Sequence, residues 1–234
     1  MPESDFLLDN PIWHSLRTRH AHLAEGSDLA RRFPSDFGPL AGLKEQTPEA
    51  YNALSKLMRP EEFAVLFLNS LPQLPAHWRK LRHEPIVQMV CTDQAATAAD
   101  LRDDLEIISL GVEDVAEMLE LTALTEPGPF RQRTHELGRF IGIRENGRLA
   151  AMAGERLALP GFTEVSAVCT HPDFRGRGYA KALVAAIAQG IFDRGETPFL
   201  TSFAANIGAI SVYESVGFTL RRTLGVMVAV PPAR

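Results

Sequence analysis

Val168 to Ala180 reads VCTHPDFRGRGYA, and the interpretation of the whole chain turns on it. An apolar run typical of a buried strand leads into Pro172, which ends it. Arg175, Gly176, Arg177 and Gly178 follow in a short loop, and helical spacing begins at once. This is the composition of an anion site. The glycines let backbone N–H groups converge on a concave loop. A helix N-terminus adds unpaired N–H groups and the positive end of its dipole. Two arginines add bidentate donors. A pyrophosphate is the natural occupant. A dinucleotide fingerprint would need a third glycine, where Lys181 stands, and the Walker pattern is absent.

Outward from that stretch the chain reads as mixed α/β. On its N-terminal side, Arg139 to Arg144 and Arg148 to Leu157 are expected strands, joined by the hairpin signal Glu145-Asn146-Gly147. Thr163 to Thr170 is the strand that feeds the loop. Ala180 to Arg194 places Leu183, Ile187 and Ile191 on one helical face, closed by Gly195. Phe199 to Phe203 is a strand, Asn206 to Val216 a helix, and Phe218 to Arg222 and Val226 to Val230 two final strands. Upstream, Leu105 to Leu110 reads as a strand, Val112 to Thr125 as a helix, and the stretch near Phe130 to Glu136 as a short helix.

The first part of the chain is less regular. Helices are expected over Pro11 to Leu23 and Thr47 to Met58, strands over Glu62 to Leu68 and Ile86 to Cys91, and a proline-containing loop over Leu71 to His77. The small, polar stretch TDQAATAADLRDD has linker composition, with one helical turn around Ala95 to Asp100 as the alternative. The expected organisation is an N-terminal α/β unit over 1–92, a linker over 93–104 and a second unit over 105–234.

Two motifs then carry a resemblance. Arg175 to Ala180 fits R-x-x-G-x-A, and Asn206, Ala209, Tyr213, Gly217 and Phe218 fit N-x-x-A-x-x-x-Y-x-x-x-G-F one strand later. Together with the element order, these resemble the GNAT superfamily of acyl-CoA-dependent N-acyltransferases over about residues 105–230. The run EVSAVCTHPDFRGRGYA is similar to its glycine N-acyltransferase-like branch. Thr201 stands near where that branch carries a histidine, so the branch's acceptor does not carry over with the fold. The N-terminal half is compatible with a degenerate copy of the same α/β unit.

The resemblance implies a GNAT-like fold and acetyl-CoA as acyl donor, with transfer of an acetyl or other short acyl group to a primary amine. The loop residues Arg175, Gly176, Arg177, Gly178, Tyr179 and Ala180 would hold the pyrophosphate. Val168, Cys169 and Thr170 would pair with the pantetheine arm by backbone, as an added strand does. Asn206 would meet the cofactor or simply cap its helix. Tyr213 would be the general acid towards the leaving thiolate and Glu164 the general base, with Glu155 or a water relay as rivals. A non-catalytic acyl-CoA-binding module is the alternative reading.

The remaining residues favour plain roles. Cys169 lacks an assured partner base, His171 precedes a proline, and His14, His20 and His22 do not make a metal site. Arg79 to His83 suits a solvated face. The chain has 234 residues, 45% of them hydrophobic, and a net charge of −5. That composition suits a folded domain and lacks the basic signature of a nucleic-acid binder. No apolar run approaches the ~18 residues of a membrane span, and the acidic start does not resemble a signal peptide. With two cysteines, a disulfide framework is not expected. The expectation is a cytoplasmic monomer or homodimer, with an amine acceptor drawn from small molecules, amino acids or protein amines.

Overall fold

The computed structural model describes residues 5–102 and 104–232. Its elements, in chain order, are α1 (Pro11–Arg17), β1 (Glu25–Gly26), β2 (Ala30–Arg32), β3 (Ala41–Leu43), α2 (Pro48–Leu57), β4 (Ala64–Leu68), β5 (Arg79–Cys91) and α3 (Gln94–Ala99). Then come β6 (Ile108–Leu110), α4 (Val115–Thr125), β7 (Phe140–Glu145), β8 (Arg148–Leu159), β9 (Phe162–Thr170), α5 (Tyr179–Phe192), β10 (Thr197–Phe203), α6 (Ile207–Ser215) and β11 (Phe218–Val230).

Eight strands form one mixed sheet in the order β4-β11-β5-β10-β9-β8-β7-β6. Only β9 and β10 run parallel; every other neighbouring pair is antiparallel. β1 to β3 form a small separate sheet. β4 and β5 precede the 93–104 segment and are hydrogen-bonded to strands that follow it, so the sheet runs across that expected boundary. Within the segment, α3 is capped by Asp93, whose carboxylate accepts from Ala96 N at 3.0 Å.

The helices stand where local chemistry puts them. Thr47 caps α2 through a hydrogen bond from Ala50 N, with Pro48 in the first turn. Leu183, Ile187 and Ile191 of α5 are all fully buried against one face of the sheet, where α6 also packs. On the other face, α1 packs through Ile12 and Leu16, and α4 through Met118 and Leu121. Asn146 and Gly147 both take positive φ, 52° and 80°, as the tight β7–β8 hairpin demands.

Three expectations are corrected. The first helix ends at Arg17 rather than Leu23, where the Thr18 hydroxyl donates back to His14 O at 2.6 Å. The two final strands are one, β11, kinked by a register shift between Leu220 and Arg222. Gly225 does not break it: a Cβ there would lie 2.6 Å from His83 Nε2, so the glycine leaves room for the His83 ring. β5 itself begins at Arg79, seven residues before the expected start, because its basic first half pairs with β11 while its side chains stay exposed.

Candidate active site

The parallel pairing of β9 with β10 runs only from Phe162–Thr197 to Val165–Leu200. Beyond it the strands splay. From Ser166 to Thr170, β9 keeps β8 on one side and has no strand on the other among the described residues. A bulge sets this geometry. Ala167 and Val168 together oppose Ala153, and Ala167 sits at φ 52°. A non-glycine residue in the left-handed region is strained, and such strain is held where surrounding structure demands it. The fork leaves backbone N–H and C=O groups of β9 open to a peptide-like arm.

A cleft of about 710 Å³ fills the fork and reaches both faces of the sheet. At its foot lies the Arg175–Ala180 loop. Gly176 and Gly178 have φ of 77° and 78°, which only glycine adopts cheaply. Gly178 is the N-cap of α5, and no acidic side chain occupies the first helical turn. The N–H groups there and the helix dipole are therefore free for an anion. The Thr170 hydroxyl beside them is buried with no partner among the described residues. The residues present thus fit a pyrophosphate and the arm attached to it.

All the sequence-derived cofactor residues line this cleft: Val168, Cys169, Thr170, the six loop residues and Asn206. Their surroundings differ. The Tyr179 hydroxyl donates to the Glu145 carboxylate, which fixes the loop from behind. Arg177 lies over the Phe174 ring and 3.5 Å from Glu145. Asn206 caps α6, accepting from Ala209 N at 3.3 Å. Burial pushes the Cys169 thiol up to about 11, so it stays protonated and is a poor nucleophile near neutral pH. His171 accepts from Asp173 N at 3.2 Å and meets Arg148 at 3.0 Å, so it shapes the loop.

Tyr213 lines the same cleft on α6, 8% exposed, packed edge-on to Phe218. Burial, and secondarily the neighbouring Cys169, push its hydroxyl up to about 12. It is a protonated donor across the neutral range.

Glu164 is placed differently. It is fully buried and does not line the cleft. Arg156 Nε and Nη2 each donate to its carboxylate at 2.9 Å, and Thr201 Oγ1 donates at 2.9 Å from the cleft side. Arg156 and Thr201 do line the cleft, so they stand between Glu164 and anything bound there. The rival Glu155 pairs with Arg194 at 2.9 Å and is also outside the cleft lining.

Sequence reasoning missed several lining residues. Arg156 is one. Glu126 is another, the only carboxylate among the lining residues, exposed on the loop after α4. Leu40, Val65 and Phe67 come from the first part of the chain. Arg102 also went unnoticed: its Nη1 lies 3.7 Å from where a Cβ on Gly178 would be, beside the anion loop. No local pattern announces them, because each reaches the cleft by long-range pairing. Among the described residues, no group of three or more His, Cys, Asp or Glu could hold a metal ion, and no helix is long and apolar enough to cross a membrane.

A mixed sheet forked at its one parallel pair, with an anion loop at the foot of the fork, defines an acyl-CoA-dependent transferase. Comparisons agree. The sequence model of the FR47-like protein family matches residues 140–225. A GNAT-family acetyltransferase structure from Novosphingobium aromaticivorans DSM 12444 is 38% identical, covering 97% of this chain and 99% of that one, with a TM-score of 0.88. Two more distant structures share the fold alone. A GCN5-related N-acetyltransferase from Kribbella flavida is 17% identical over 100% of this chain and 97% of its own, with a TM-score of 0.61. A GCN5-related N-acetyltransferase-like protein from Streptococcus suis 89/1591 is 14% identical over 87% and 81%, with a TM-score of 0.57. None of the curated proteins matches the sequence. The chain belongs to the GNAT family and is an acyltransferase. Acetyltransferases of this family take acetyl-CoA as co-substrate and act on amine acceptors.

Proposed function

We propose that the protein moves an acetyl or other short acyl group from CoA to a primary amine by direct attack. The observation that carries this reading is the fork between β9 and β10, with the anion loop at its foot and Tyr213 on its wall. The Arg175–Ala180 loop and the α5 N-terminus would hold the pyrophosphate. Val168, Cys169 and Thr170 would take the pantetheine arm by backbone pairing. Backbone N–H groups of β9 past the bulge would face the developing oxyanion.

The proton path follows from the burial pattern. The amine attacks in its neutral form and becomes positively charged in the adduct, where its proton is far more acidic than in the free ammonium. Thr201 is the group at the cleft wall that can accept that proton while passing its own to Glu164 Oε1. Glu164 then serves as general base through Thr201, with Arg156 fixing the carboxylate. Tyr213 faces the departing sulfur. A hydroxyl held up to about 12 is a weaker acid than a thiol, at ~8.5. Complete transfer to the thiolate would be uphill by roughly 3 units. Tyr213 therefore acts first as a hydrogen-bond donor to the developing charge.

The test is calorimetric titration with acetyl-CoA, NADH and ATP, followed by a thiol-release assay across amines. Selective binding of acetyl-CoA with amine-dependent thiol release is the expected result. Binding without release for any amine would favour the alternative, a module that senses acyl-CoA. Tighter binding of NADH would overturn the assignment of the loop.

A further inference from the structure

The cleft continues past the fork onto the face of the sheet that carries α1. There it runs over Leu40, Val65, Phe67, Ile86, Phe203 and Val226. All six are apolar, and four of them precede residue 93. Arg156 and Thr201 line the cleft with this wall, and both are committed to Glu164. The charge of Arg156 is matched there by that of Glu164. The wall carries no carboxylate, and the Phe203 and Phe67 rings are already met by the Arg82 and Arg156 guanidiniums, so a second ammonium finds no acidic partner there. Glu126, the one lining carboxylate, is exposed on the α4 loop, where water screens it.

We propose that the acceptor is a monoamine carried on an apolar body, aliphatic or aromatic, which lies against this wall while the nitrogen reaches the fork. The proposal rests on the acyl-transfer reading above and deepens it. Burying methylene groups on such a wall strengthens binding about fourfold for each one removed from water. Burying an unpaired ammonium costs far more than a methylene gains. Diamines, polyamines and free lysine are therefore poor acceptors, although each offers a primary amine.

The experiment titrates the protein, with and without bound CoA, against n-butylamine, n-hexylamine and 1,6-diaminohexane. The last two differ by the second amine alone. Hexylamine should bind about 15-fold tighter than butylamine, and diaminohexane should bind at least ~10-fold more weakly than hexylamine. Equal binding of hexylamine and diaminohexane, or no gain with chain length, overturns the proposal. Phe203→Asp, at the half-buried end of β10, should narrow or invert the preference for hexylamine over diaminohexane. If that variant does not fold, the wild-type series still decides. Thiol release from acetyl-CoA, run in parallel, separates the two readings. Selective hexylamine binding without release of thiol sinks the catalytic reading and leaves the pocket. Thiol release with diamines or amino acids alone does the reverse.

Discussion

At the scale of single residues, Tyr213 and Thr201 stand at the two ends of the proposed proton path. Removing the Tyr213 hydroxyl with Tyr213→Phe should lower kcat about 100-fold and leave acetyl-CoA affinity unchanged. Thr201→Val should cost a similar factor and leave Glu164 unable to reach the acceptor. Equal kcat in both variants and the wild type would sink the path. Because burial holds the tyrosine hydroxyl up to about 12, kcat should not decline at pH 10, where an ordinary tyrosine ionises. His20 makes a separate prediction about stability. It is buried between Ser15 Oγ and Leu137 O, and burial pulls it down to about 4. In the window from 6.5 to about 4 the unfolded chain binds a proton that the folded chain refuses. Stability should therefore fall as pH drops through that window, by roughly 3 kcal/mol. Denaturant midpoints at pH 7 and pH 4 check it, and His20→Gln should flatten the difference. The place of Tyr213 in the cleft was legible from its motif. The burial of Glu164 was not, because the Arg156 that covers it lies on a different strand, across a bulge.

At the scale of elements, the unit that matters is β9, loop and α5. Sequence spacing located it to within a residue or two, since strand, glycine turn and amphipathic helix are all local features. Gly178→Asp separates its structural and binding roles. The position has φ 78° and room for a Cβ, whose nearest neighbour would be Arg102 Nη1 at 3.7 Å, so the cost is the backbone strain alone, about 1–2 kcal/mol. A carboxylate at a helix N-terminus returns about 0.3–1 kcal/mol. Thermal stability should thus change little. Acetyl-CoA affinity should fall more than tenfold, because the carboxylate would occupy the anion's place (~1.4 kcal/mol or more). Unchanged affinity in a folded Gly178→Asp protein would place the pyrophosphate elsewhere. β11 was harder to read. Gly225 looks like a turn residue in one dimension, and only the neighbouring His83 ring explains it.

At the scale of the whole molecule, β4 and β5 make part of the first 92 residues integral to the large sheet. β5 lies between β10 and β11, pairing with β11 along nearly all of its length and with β10 over Ile86 to Val90. A chain beginning at residue 105 would leave Phe218 and Met227 with no strand beside them and Leu200 paired on one side only. It should show a loss of cooperative unfolding, whereas the full chain should unfold in one transition. Circular dichroism melts of the two proteins test this. The 93–104 stretch is small and polar and contains α3, yet composition does not report which strand lies next to which. The same holds for the three-stranded β1–β3 sheet, whose short strands carry no periodic signal. The apolar wall of the acceptor pocket was hidden for the same reason. Its residues are spread from Leu40 to Val226 and look like ordinary core in sequence.

The position of β5 also bears on how the molecule is made. Synthesis delivers β4 and β5 early and β11 last, yet β11 is the strand that joins them. Until β11 has been made, β5 waits with an open edge and the nascent sheet cannot close. Pairings this distant in sequence carry a large loop-closure cost, so folding belongs in the slow, millisecond-to-second regime. Open strand edges in that interval invite pairing between chains. Yield on expression should therefore depend on temperature and on chaperone supply far more than the stability of the finished protein would suggest.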